Sequence, residues 1–155
     1  MRRITVIAAL GATIVLAATV VAVARTPDLA DPVRIHVIEH ASTDTVVDTD
    51  GDGMDSTGDL LTFHNRVFNA SNTRAVGRDQ GQCVRIDPDR GTWECNFTTL
   101  LGGDGVTVEG PFYDTRDTSV LSVIGGTGRF RNARGQLVLH PRSDVGFDFI
   151  FHLIP

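Results

Sequence analysis

The chain of 155 residues contains no lysine, so all 14 of its basic residues are arginine. That excludes Schiff-base catalysis, which needs an amine able to shed its proton, something a guanidinium does not do. Cysteine is scarce too: Cys83 and Cys95 are the whole supply, with no C-x-x-C pair to build a structural zinc site. Neither a G-x-S-x-G elbow nor an H-E-x-x-H motif occurs, so the serine hydrolase and zincin templates find no residues. Acidic residues outnumber basic ones and leave a net charge of −5. A negative surface without a basic stripe repels phosphate, and no nucleic-acid partner is expected. A sustained 3.6-residue apolar period is also missing, which argues against helices of consequence.

The amino terminus carries a different signal. Arg2 and Arg3 precede an apolar run from Ile4 to about Val21, which ends in Ala22-Val23-Ala24 before Arg25. A basic end, an apolar stretch and a small-residue site form the pattern of a secretory signal peptide, with cleavage after Ala24. The run is also long enough to remain as a membrane anchor. Residues 1–24 are thus expected to be a signal peptide or anchor, 25–33 a linker and 34–155 one domain. Both alternatives put that domain outside the cytoplasm, secreted or tethered. Loss of Arg2 and Arg3 would take its charge from −5 to −7.

In that compartment disulfides persist. The segment "CVRI", "DPDRG", "TWEC" reads as a hairpin; with Asp87–Gly91 as its loop, Ile86 faces Thr92 and Cys83 faces Cys95. Cross-strand neighbours at that spacing can bridge, the alternative being two free, buried thiols. Further extended stretches are predicted at 34–39, 60–68, 75–86, 92–101, 106–111, 119–124, 136–140 and 147–153. In the last, Phe147, Phe149, Phe151 and Leu153 alternate with Asp148 and His152. Some eight short strands separated by turn clusters predict an all-β sandwich or closed barrel.

Three local motifs invite chemistry. "DTDGDGMDSTGD" sets Asp48, Asp50, Asp52 and Asp59 at the first, third, fifth and twelfth positions, with Gly53 at the sixth, as a calcium loop would. Asp59 is one methylene shorter than the usual Glu, and the flanks favour strands over paired helices. A mobile acidic loop is the alternative to calcium, and no other cofactor is expected. "HVIEH", from His36 to His40, matches a zinc signature that needs a helix. On a strand its histidines stand roughly 13 Å apart and cannot share one ion. "GGTG", at Gly125–Gly128, leads into a strand and reads as a tight turn rather than a phosphate cradle.

The longer pattern "GDLLTFHNRVF", "VGRDQGQCVRID", "VTVEGPFYDTRDTSVLSVIGGTGRFRNARGQLVL" and "FDFIFHLI" resembles the allene oxide cyclase and dirigent superfamily in order and spacing. The likeness covers roughly 34–153. It implies an eight-stranded antiparallel β-barrel with a largely apolar cavity, commonly a trimer, that binds a small apolar molecule and steers its cyclisation or coupling. A carrier or interaction module on the same barrel is the alternative. By the same resemblance, Glu39 and Asn65 match cyclase site residues and are the candidates for catalysis. Cys83 matches a cavity cysteine, and Phe112, Phe63 and Arg134 are placed on the cavity wall. The chain departs from the pattern at Ala41, where the cyclases have asparagine, at Phe112, where they have tyrosine, and at Arg129, where dirigents often have an acid. The first two departures argue against plant-type jasmonate cyclisation, and the third against dirigent coupling. Glu39, Asn65 and Arg134 could equally be polar residues that satisfy one another in any barrel.

Overall fold

The computed structural model describes residues 32–144 and 146–154. The expected signal or anchor segment, and all of the linker but its last two residues, lie outside the described residues. Nine strands follow in chain order: β1 (Val33–His40), β2 (Thr45–Val47), β3 (Leu60–Asn69), β4 (Ala75–Asp87), β5 (Thr92–Leu101), β6 (Asp104–Tyr113), β7 (Ser119–Gly126), β8 (Arg134–Pro141) and β9 (Gly146–Ile154). A single 3-10 turn, Gly128–Phe130, joins β7 to β8.

From β3 to β9 each strand pairs antiparallel with the next, and β9 pairs with β1. The ring then closes, because β1 also pairs with β3 through Val37↔Asn69 to His40↔Arg66. Eight strands form the closed barrel, as the family resemblance implied, and β2 is a three-residue addition to the start of β3. Closure leaves no long unpaired edge, which is how such a sheet avoids pairing with other chains.

Two-residue alternation decides what faces inward. On β5, Trp93, Cys95, Phe97, Thr99 and Leu101 are buried while Glu94 and Asn96 are exposed. On β9, Phe149, Phe151 and Leu153 are buried in the core, whereas Asp148 faces out to His36 and Arg142. The end of the barrel near the 3-10 turn is packed with Phe130, Leu101, Val106 and Leu153.

Cys83 and Cys95 stand directly opposite, with 3.9 Å between their Cα atoms, and are joined in a disulfide. The hairpin differs from expectation in one detail. Arg85 pairs with Trp93 and Asp87 with Thr92, so Ile86 bulges out instead of facing Thr92. Two residues on from Cys83, Arg85 faces inward by alternation, and its guanidinium lies 3.9 Å above the Trp93 ring and binds Asp55 and Asp114. His36 and His40 sit on a strand with separate partners, Asp148 and Asn72, as the reading against zinc required.

Candidate functional site

An internal cavity opens toward the barrel end where β1 leaves for β2. Its volume is about 40 Å³, inside about 390 Å³ of non-atom space that includes open solvent at the mouth. Most of its wall is apolar: Leu61, Phe63, Phe97, Phe112, Leu121, Leu139, Phe147 and Phe149, together with the Cys83–Cys95 bridge. Aromatic edges set its shape, with Phe63 meeting Phe97 and Phe112 meeting Phe147 nearly at right angles. Because several rings intrude, the space is narrow.

Its polar part is concentrated in four residues: Glu39 of β1, Asp44 after it, Asn65 of β3 and Asp79 of β4. Their convergence follows from the barrel's construction. Glu39 lies opposite Val67, and Asn65 opposite Asp79, so three neighbouring strands present one polar side chain each to the interior. Segment 41–44 has no strand partner, and Asn65 supplies one. Its Oδ1 accepts from the amides of Ser42 at 3.0 Å and Thr43 at 2.9 Å, and from the Thr43 hydroxyl. With its oxygen taken, the Asn65 Nδ2 points to acceptors, donating to Glu39 Oε1 and, at 2.6 Å, to Asp44 Oδ1.

What remains is a surplus of acceptors. Glu39 Oε2 and both carboxylate oxygens of Asp79 are buried with no hydrogen-bond partner, as is the Thr99 hydroxyl. Glu39 and Asp79 are 3% and 1% exposed, so bulk water does not supply the missing donors. Burial pushes the Glu39 carboxyl up to about 9; Asp79 and Asp44 nearby add to the rise, while the Asn65 hydrogen bond opposes it. Burial likewise lifts Asp79 to about 7, with Asp44 adding to it, although the nearby amides of Asp79 and Asn65 pull the other way without completing a hydrogen bond. At neutral pH Glu39 therefore holds a proton, and Asp79 keeps its own far above the usual carboxylate range. Gly146 makes room for the arrangement: its φ is +157°, and a Cβ there would sit 2.8 Å from Glu39 Oε2.

The residues named from sequence divide as follows. Glu39, Asn65, Phe63 and Phe112 line the cavity, and Cys83 does so as half of a disulfide rather than as a thiol. Arg134 does not. It begins β8 in register with Ile154 and is exposed on the outer side, because inward positions on β8 fall to Leu137 and Leu139. Asp44 and Asp79 were missed, although alternation back from Cys83 puts Gly81 and Asp79 on the inner face.

The acidic loop lies apart from this cluster. Asp48, Asp50 and Asp52 bring carboxylate oxygens within 4.8 Å of one another. Asp59 is not with them: it is buried and accepts from the amides of Thr49 and Ser56, both at 2.9 Å. Those bonds hold Asp59 below the usual carboxylate range, and the Gly53 and Gly51 amides do the same for Asp48. Of the four carboxylates named from sequence, three lie together and Asp59 is turned to the backbone of the loop.

A closed antiparallel barrel of eight strands, with an apolar cavity ending on buried carboxylates, places the molecule among the cavity-bearing small β-barrels. The chain belongs to the allene oxide cyclase family, whose family model matches residues 34–149. Dirigent protein 18 of Arabidopsis thaliana is 34% identical over 82 residues, covering 50% of this chain and 34% of that protein. The chain therefore matches about a third of that relative's length. Among solved structures, pyocyanin demethylase superposes with a TM-score of 0.67 at 22% identity, over 78% of this chain and 99% of that one. The pterocarpan synthase dirigent protein GePTS1 does so with 0.62 at 17% identity, over 77% and 80%. These likenesses establish the fold.

Proposed function

We propose that the barrel takes one small, mainly apolar molecule into its cavity and steers its cyclisation or coupling. The observation that carries this reading is the set of unpartnered carboxylate oxygens of Glu39 and Asp79 at the end of an otherwise apolar cavity. Neutral Glu39 is the proton donor to the guest, and Asp79 the acceptor, since its raised pKa sits near the working pH. Asn65 positions Glu39 by holding Oε1, which leaves Oε2 without a protein partner and available to a guest. The phenylalanine walls limit the guest's conformations and keep water out, so positioning supplies much of the selectivity. Two proteins sharing the barrel are named for reactions, a demethylase and a pterocarpan synthase.

The compartment and assembly form part of the proposal. Residues 1–24 direct export, as signal peptide or anchor, and residues 34–155 work outside the cytoplasm as a trimer. The Cys83–Cys95 bridge supports an oxidising location. The test is to incubate the purified barrel with a panel of lipids and phenolics and follow both bound mass and product by mass spectrometry. Turnover that disappears in Glu39→Gln, while binding persists, supports steering. Retention of an unchanged guest supports a carrier instead, and a cavity that retains nothing overturns both.

A further inference from the structure

The polar end of the cavity is acidic and holds no fixed cation among the described residues. Glu39, Asp44 and Asp79 face it, and Asn65 has already given its amide hydrogens to Glu39 and Asp44. Among the described residues no arginine or histidine lines the cavity. His64, Arg66 and Arg78 of β3 and β4 lie exposed on the outer face. Arg85 faces inward but is bound to Asp55 and Asp114 and stacked on Trp93, outside the cavity lining. β5 contributes Thr99, and the inward residues of β9 at this end are Phe147 and Phe149.

Two fully buried carboxyl groups with three empty oxygen positions are costly to leave unmatched. A guest that brings hydrogen-bond donors and positive charge removes that cost, whereas a guest ending in a carboxylate adds a like charge. We infer that the cavity selects a small apolar molecule ending in a protonated amine, and rejects the matching carboxylic acid. This rests on the proposed function insofar as the cavity must bind a guest, and it defines the class of that guest. The ammonium pairs with Asp79 and displaces the proton held by Glu39, so that Oε2 becomes an acceptor, and the apolar body lies against Phe63, Phe97 and Phe149. Protons on the acids compete with the ammonium, so its binding strengthens as pH rises from 6 to 8 and releases protons below pH 7.

The experiment uses three probes with one body: 3-phenylpropylamine, 3-phenylpropan-1-ol and 3-phenylpropanoate. Titration calorimetry at pH 8, repeated at pH 6 in two buffers of different ionisation heat, reads affinity and proton release. The amine is expected to bind about tenfold or more tightly than the alcohol, as charge-assisted hydrogen bonds exceed neutral ones, with the carboxylate weakest. Asp79→Asn should reduce the amine's advantage over the alcohol. The buffer comparison uses the unmodified chain, so the inference stays testable if that variant does not fold. Alcohol or carboxylate binding as well as the amine overturns the inference, as does amine binding without proton release at pH 6. If all three fail while an uncharged guest from the wider panel is retained, this inference falls and the cavity's binding role stands. If nothing at all is retained, both fall.

Discussion

The buried acids make a specific demand on the pH dependence of stability. Glu39 and Asp79 are raised to about 9 and about 7 in the folded chain, whereas both ionise near 4 when unfolded. The folded state thus holds their protons more tightly. Their contribution is fully present below the unfolded pKa values and is lost as pH rises through the folded ones. Each group contributes a slope of at most ~1.4 kcal/mol per pH unit. From pH 5 to pH 7 the two together should remove roughly 3–5 kcal/mol, fewer if their protons are strongly shared. In melting temperature that is a fall on the order of 10 °C for a domain of this size. Asp48 and Asp59 have lowered values, so their contribution is lost as pH falls below the ordinary carboxylate range, outside this window. Urea denaturation at pH 5, 6, 7 and 8 of the unmodified chain, Glu39→Gln, Asp79→Asn and the double variant isolates the effect. The five histidines are common to all four and cancel in the comparison. The single variants should give shallower profiles than the unmodified chain, and the double variant the shallowest. Four parallel profiles would refute the view that these carboxyls are buried as neutral acids.

Other perturbations test the framework around them. Asn65→Ala strips the amides of Ser42 and Thr43 of their acceptor and Glu39 of its donor, and should cost about 3 kcal/mol in urea titrations, from several lost hydrogen bonds. Gly146→Ala drives a Cβ to within 2.5 Å of the Glu39 carbonyl oxygen, so a loss of about 1–3 kcal/mol is expected, with guest binding weakened beside it. Reduction of Cys83–Cys95, or its replacement by two serines, should lower stability by about 3 kcal/mol through the freed loop, seen as a reductant-dependent denaturation midpoint. Arg85→Met keeps the stem over Trp93 but releases Asp55 and Asp114. Both carboxylates are already half exposed, so the loss should be only about 1–2 kcal/mol, in contrast to a fully buried pair.

The sequence by itself determined the strands and much of their register. Alternation in "FDFIFHLI" assigns Phe149 and Phe151 to the interior without any knowledge of a neighbour, because side chains on an extended chain must alternate. The Cys83–Cys95 pairing followed from reading Asp87–Gly91 as the hairpin loop; the loop is one residue shorter, with Asp87 opposite Thr92, and the bulge at Ile86 restores the register that sets Cys83 against Cys95. Closure belongs to the tertiary structure: β1 meets β3 only after the other strands have curved round, a contact that no local window contains. The same holds for the acid cluster. Glu39 and Asn65 could be named through family likeness, but Asp44 and Asp79 join them only where β1, β3, β4 and an unpaired segment converge. Arg134 shows the converse: a matching turn motif cannot report which side of the sheet a side chain takes, and here it faces outward. Neighbours in sequence set the backbone's extension and parity; burial, and with it the raised acidity constants, depends on partners brought from distant parts of the chain.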